Sequence, residues 1–221
     1  MEKIEKTEYI KICEEILEAC KWITKKNLVY STWGNISVRY GDGFILTPSK
    51  MDYDLMTPDD MVGMDFDGNI IKGHRVPTSE RHIHRLIMKN RTDINAVVHT
   101  HSPYACACAA AGMNIPALIE ESAQLIGGTV LCTPYYISGG NHLELAELTA
   151  KTLGGGVNAA LIKNHGPVAC GRTLEEALYA CLVVEKAAQM TLLLKNPENF
   201  AIPEEFVREE RERFLYKYGK E

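Results

Sequence analysis

Two hairpin signals near the front of the chain constrain the fold most. Asn35–Tyr40 alternates apolar and polar residues, Gly41-Asp42-Gly43 follows, and Phe44–Thr47 resumes the apolar run. Met61–Phe66 and Ile70–Ile71 flank Asp67-Gly68-Asn69 in the same way. Short period-two segments joined by Gly, Asp and Asn pair antiparallel. The pattern then changes. Helical periodicity reads at Thr7–Lys25, where Cys13, Ile16, Leu17 and Cys20 share one face, at Glu80–Asn90, at Pro103–Ala111 and at Asn141–Leu153. A long helix, apolar on most sides, runs from Thr173 to about Lys195. Apolar strands read at Ala96–Thr100, Thr129–Cys132 and Val157–Lys163 between them. Hairpins followed by alternating helices and strands predict an α/β chain whose central sheet, mixed or antiparallel, lies between helix layers.

The punctuation agrees with these bounds. Asn141 with Glu144, and Thr173 with Glu176, each have capping-box spacing, and Gly154-Gly155-Gly156 stops the helix before it. There is no repeat and no long linker, so residues 1–221 read as one domain, and a short charged helix follows Pro197 and Pro203. The net charge of −5 argues against nucleic acid and anionic membranes as partners, but is silent on a local anion site. No apolar run reaches about 18 residues, and the charged start does not read as a secretory signal. Seven cysteines without a CxxC pair predict reduced thiols used as small apolar residues, hence a cytoplasmic protein.

The histidines carry the chemistry. His99-Thr100-His101 ends a predicted strand, where positions i and i+2 face the same side. Two such imidazoles can share a metal ion, or stand as an ordinary solvated pair. His165 follows the strand Val157–Lys163, just before Gly166-Pro167, and supplies the third imidazole that catalytic zinc commonly uses. Glu80, at a predicted helix start, is the natural fourth group, although a carboxylate there is also favoured by the helix dipole. His82 and His84 fall on different sides of a helix and read as surface or partner contacts. A Glu80/His84 pair at i, i+4 is the less favoured metal alternative. His74 and His142 read as solvated.

Five motifs in one order resemble the class II aldolase/adducin-head family: Gly34-Asn35-Ile36-Ser37-Val38-Arg39, Leu46-Thr47-Pro48-Ser49, Pro77-Thr78-Ser79-Glu80, Val98-His99-Thr100-His101-Ser102 and Asn164-His165-Gly166. The resemblance covers residues 7–195 and leaves 196–221 as a tail. It implies a three-layer α/β/α fold with a largely antiparallel central sheet, and a homotetramer with active sites between subunits. It implies Zn2+, with Mn2+ or Co2+ as alternatives, held by His99, His101, His165 and a removable Glu80 that doubles as acid/base. It implies a phosphate site of Gly34, Asn35, Ser49, Lys50, Thr78 and Ser79. The implied reaction cleaves a small ketose 1-phosphate, of the L-fuculose or 5-deoxyketose type, to dihydroxyacetone phosphate and an aldehyde through a metal-stabilised enediolate.

The chain departs from that pattern twice. Relatives often carry glycine where Lys50 stands, and the family's tyrosine acid falls near Ile119-Glu120-Glu121, which lacks a tyrosine. Glu120 or Glu121 is the implied replacement, with Tyr135, Tyr136, Tyr216 and Tyr218 as the other candidates. The missing tyrosine weakens the case for fuculose phosphate itself as substrate. Glu80, where epimerases of the family carry aspartate, favours an aldolase over a 4-epimerase; a dehydratase, which a glutamate near position 120 would suit but whose surrounding pattern matches less well, and a decarboxylase stay as alternatives. A non-catalytic module like the adducin head disagrees with the intact histidine set.

Overall fold

In the computed structural model, which describes residues 2–137 and 142–217, both hairpins form. Helix α1 (Glu2–Lys25) leads into β1 (Asn35–Tyr40) and β2 (Gly43–Leu46), then β3 (Val62–Asp65) and β4 (Ile70–Lys72). The β3–β4 turn is pinned by Asp65, whose Oδ1 accepts from the backbone N–H groups of Asp67, Gly68 and Asn69. Helix α2 (Arg81–Asn90), β5 (Ala96–His99) and α3 (Pro103–Ala111) follow, then a π-helical turn at Ser122–Ile126 and β6 (Leu131–Cys132). The chain continues through α4 (His142–Leu153), β7 (Ala159–Ile162), β8 (Gly166–Gly171), α5 (Leu174–Leu193) and α6 (Glu204–Tyr216).

The eight strands form one sheet in the order β4-β3-β2-β1-β5-β8-β7-β6. Every neighbouring pair is antiparallel except β6–β7. Strand alternation sorts the core into two layers. Ile36, Val98, Leu161 and Ala169 face α1, α3 and α5 and pack with Ile16, Cys20, Ala105 and Val184. Their neighbours Val97, Ile162, Val168 and Cys170 face α2 and α4 and pack with Ile83, Ile87 and Leu145. Helices on both faces explain why β5 and β7 read as unbroken apolar runs although their pairings are largely antiparallel. Small residues along α5, including Ala177, Ala180 and Ala188, are buried, so that helix lies close against the sheet.

Two sequence expectations change. Gly166–Gly171 was not expected as a strand, yet β8 sits at the centre of the sheet between β5 and β7. Proline is ordinarily excluded from central strands because it has no N–H to donate. Pro167 is tolerated near the strand's start, where its carbonyl still accepts from the Thr100 N–H at 3.1 Å. The second change concerns the cap of α5. Thr173 Oγ1 accepts from the Glu176 N–H at 3.1 Å. Glu176 turns instead to the Arg172 N–H and guanidinium, so the box closes on one side only. The expected Asn141 cap lies outside the described residues.

The tail packs back on the body. Arg211 reaches the carbonyls of Gln124 and Leu125, and Val207 is buried with Ala117 and Ala123. All seven cysteines are free thiols. No helix among the described residues is long and apolar enough to cross a membrane.

Candidate active site

Strand β5 delivers His99 at its C-terminal end, and the chain beyond it carries His101. The β7–β8 hairpin delivers His165 from the other side. That turn is tight: Asn164 adopts a left-handed backbone (φ 57°), which asparagine tolerates, and the His165 N–H donates to the Ile162 carbonyl at 3.0 Å. A Cβ on Gly166 would overlap the Thr100 carbonyl oxygen, so only glycine lets β8 begin this close to the two histidines.

The three rings stand nearly perpendicular to one another, with centroids 4.8 to 4.9 Å apart. One ligand atom from each lies within 4.8 Å of the others. His99 Nδ1 donates to the Pro167 carbonyl at 2.9 Å, which leaves its Nε2 with a lone pair. That Nε2 faces His101 Nε2 at 3.0 Å. Glu80, at the N-cap of α2, places Oε2 3.4 Å from His99 Nε2 and Oε1 3.0 Å from His165 Nε2. Oε1 is buried yet makes no well-directed hydrogen bond. Three imidazoles and an incompletely satisfied carboxylate, converging in one buried spot, fit a divalent cation.

The protonation states suit that ligand set. Burial pushes the His99 imidazole down to about 3 and His101 to about 4, so both are neutral at pH 7. Burial alone would raise the Glu80 carboxyl, but His99, His165 and the Asn35 amide outweigh it and hold it well below the usual carboxylate range.

His84 departs from its expected surface role. It is fully buried, with Nδ1 2.6 Å from Ser37 Oγ and Nε2 2.5 Å from Asn35 Oδ1. It therefore faces β1 and shares no ligand geometry with Glu80. Burial pushes its imidazole from 6.5 down to about 4. A histidine that is neutral when folded and protonated when unfolded stabilises fully above its unfolded pKa and loses that contribution as pH falls toward the folded one. For the metal-free protein we expect stability to fall by roughly 2 kcal/mol between pH 7 and pH 5 from His84 alone. Urea midpoints at the two pH values check this, and equal midpoints would contradict it.

All six residues expected to bind phosphate line one cavity of about 350 Å³, together with Glu80, His101 and His165. Two extended segments build its far wall. The Ser49 N–H donates to Val76 and the Thr78 N–H donates to Thr47, which sets Ser49 and Lys50 opposite Thr78 and Ser79. Thr78 and Ser79 immediately precede α2, whose unpaired N–H groups favour an anion. Lys50 has a left-handed backbone (φ 56°), a conformation that glycine adopts without strain. Gly34 is also required. A Cβ there would come within 2.6 Å of Val29 Cγ1 and 3.2 Å of the His99 carbonyl oxygen.

Four lining residues were not expected: Thr32, Trp33, Pro48 and His142. Trp33 is exposed and stacks on His101 with centroids 6.4 Å apart. A tryptophan directly before Gly34-Asn35 was the signal available for it. Glu120 and Glu121 are exposed and are not among the residues lining this cavity; Glu121 pairs with Lys186 at 3.6 Å. Tyr136 bonds Glu144, Tyr135 and Tyr216 are exposed, and Tyr218 lies outside the described residues. A larger cavity of about 490 Å³, between α1 and the start of α5, is lined by Glu15, Glu18, Trp22 and Tyr179. It lacks the histidine cluster, so the chemistry belongs to the smaller one.

Comparison with known proteins matches residues 14–192 to the family described as Class II Aldolase and Adducin N-terminal domain. The chain belongs to this family. L-fuculose phosphate aldolase of Methanocaldococcus jannaschii is 35% identical over 190 residues, covering 86% of this chain and 97% of that protein. The 5-methylthioribulose-1-phosphate/5-deoxyribulose-1-phosphate aldolase of Rhodospirillum rubrum is 34% identical over 203 residues, covering 92% of this chain and 89% of that protein. A solved structure of an L-fuculose 1-phosphate aldolase superposes with a TM-score of 0.85 at 31% identity, covering 93% of this chain and 97% of that one. The three-layer fold and its largely antiparallel sheet are those of the family.

Proposed function

We propose that this protein is a zinc-dependent aldolase that cleaves a small ketose 1-phosphate to dihydroxyacetone phosphate and an aldehyde. The observation that carries the reading is the convergence of His99, His101, His165 and Glu80 beside a hydroxyl- and amide-lined cradle in one cavity. The names of the two similar enzymes, one a fuculose phosphate aldolase and one an aldolase of 5-substituted ribulose 1-phosphates, support the substrate class.

The three histidines and Glu80 would hold the ion, and imidazole with carboxylate ligation favours zinc, with Mn2+ or Co2+ as substitutes. When bound, a divalent cation stabilises the negative charge left on the substrate oxygens as the carbon–carbon bond breaks. The chain's own residues do the rest. Ser49, Thr78, Ser79 and the start of α2 receive the phosphate, and Glu80 carries a proton to and from the reacting carbon. Asn35 Nδ2 donates to Glu80 Oε2 at 2.7 Å, so the carboxylate is held in place.

The second acid is proposed to be Glu120 or Glu121 of a neighbouring subunit in a homotetramer. Their exposure, and that of Tyr104, Ile137 and Leu193, supports an assembly that covers these surfaces. Seven free thiols support a reducing, cytoplasmic setting. A panel of ketose 1-phosphates, read by coupled detection of dihydroxyacetone phosphate, tests the activity; a product that keeps all its carbons would point to an epimerase or dehydratase instead.

Lys50 gives a separate expectation. In Lys50→Gly the left-handed backbone is relieved, so stability rises by about 1 kcal/mol. Loss of the cation from the cradle raises KM for the phosphorylated substrate about fivefold and leaves kcat nearly unchanged. Denaturation midpoints and steady-state kinetics check both. An unchanged KM would place the ammonium outside phosphate recognition.

A further inference from the structure

The proposed chemistry uses three histidines and leaves a fourth buried one unused. His84 sits on α2 with Ile83 and Ile87, which already supply that helix's apolar contacts. An apolar residue would pack in its place. A buried imidazole is unfavourable unless both nitrogens are satisfied, and here both are.

The hydrogen-bond roles along this chain of groups can be assigned in sequence. Asn35 Nδ2 donates to Glu80 Oε2 at 2.7 Å, so the amide presents its nitrogen to the carboxylate. The Asn35 carbonyl oxygen then faces His84, and His84 donates to it from Nε2 at 2.5 Å. Nδ1 of the neutral ring is left as an acceptor, and the Ser37 hydroxyl donates to it at 2.6 Å. Ser37, His84 and Asn35 are 0%, 0% and 4% exposed, so water does not compete for these bonds. The opposite orientation of the Asn35 amide would set its carbonyl against the Glu80 carboxylate, and the carboxylate disfavours it; His84 anchors the amide's other end, through its carbonyl oxygen.

We propose that His84 is a positioning residue that anchors the carbonyl end of the Asn35 amide, and so holds the N–H that fixes where the Glu80 carboxylate sits against the three histidines. The inference rests on the aldolase reading only for what Glu80 does in turnover. Its placement is separately measurable.

The test compares wild-type protein with His84→Phe, which fills the ring's space without a donor, and His84→Gln, whose side-chain amide can still donate to Asn35. Each is loaded with Co2+, its visible absorption spectrum is recorded, and kcat and KM are measured with L-fuculose 1-phosphate. In His84→Phe we expect a changed cobalt spectrum, because Glu80 is no longer held. We also expect kcat to fall about tenfold to hundredfold while KM changes by less, since Asn35 is the one member of the phosphate cradle that the variant disturbs. His84→Gln recovers much of both. A folded His84→Phe with the wild-type spectrum and kcat overturns the proposal. Should His84→Phe not fold, Ser37→Ala carries the test: an altered spectrum supports the proposal, and a wild-type spectrum overturns it. If wild-type enzyme leaves L-fuculose 1-phosphate intact, that counts against the aldolase reading for this substrate, while the cobalt spectra still decide on His84.

Discussion

Replacing His99 with alanine is expected to abolish zinc binding and to lower kcat/KM for ketose 1-phosphate cleavage by about a thousandfold or more. His99 is the best-anchored of the three rings. It is 1% exposed, its Nδ1 is tied to the Pro167 carbonyl, and its Nε2 points at both His101 and Glu80. Without it, His101 and His165 hold at most two of the four coordination positions of a zinc site, and Glu80 loses the neighbour that most lowers its pKa. Metal analysis of the purified variant beside its turnover checks this, with circular dichroism to show that the fold persists. His101→Ala, at a more open position, should give the same loss with less effect on stability. Full metal content with undiminished turnover in His99→Ala would remove the proposed centre from the reaction.

The second large effect is expected at Glu80. Glu80→Gln keeps the side chain's shape but removes its charge and its capacity to take up a proton. Three imidazoles still suffice to hold an ion, so zinc content is expected to remain above half of the wild-type value. Turnover should fall by about 10² to 10⁴-fold, the usual contribution of a positioned general acid/base. KM should move little, because the phosphate cradle lies on other residues. The contrast between the two variants is informative. His99→Ala loses metal and activity together, while Glu80→Gln keeps the metal and loses the activity. If Glu80→Gln turned over at the wild-type rate, another group would have to carry the proton.

Much of this was legible in the sequence because local chemistry and global packing agree. The Gly/Asp turns fix the two hairpins, and apolar alternation assigns the two sheet faces. His99 and His101 reveal themselves through strand periodicity, Glu80 through its place at a helix start, and Gly34 only through the family motif that contains it. Strand β8 was not legible. Asn164-His165-Gly166-Pro167 reads as a break, and only the sheet shows that it is a tight hairpin turn with proline kept at the strand's start. His84 was misread for a related reason. Helical spacing says which side of α2 it occupies, but not that β1 offers Ser37 and Asn35 as partners across 47 and 49 residues of chain. Trp33 and His142 reach the cavity from segments without a periodic signal. The role proposed for Glu120 and Glu121 rests on a neighbouring subunit, which no single chain displays.

The most direct measurement of the central claim is dihydroxyacetone phosphate release from a panel of ketose 1-phosphates by the purified, zinc-loaded protein. The expected result is dihydroxyacetone phosphate and aldehyde in equal amounts from at least one 5-deoxy- or 6-deoxyketose 1-phosphate. No dihydroxyacetone phosphate from any member, or conversion that leaves the carbon skeleton whole, would contradict it.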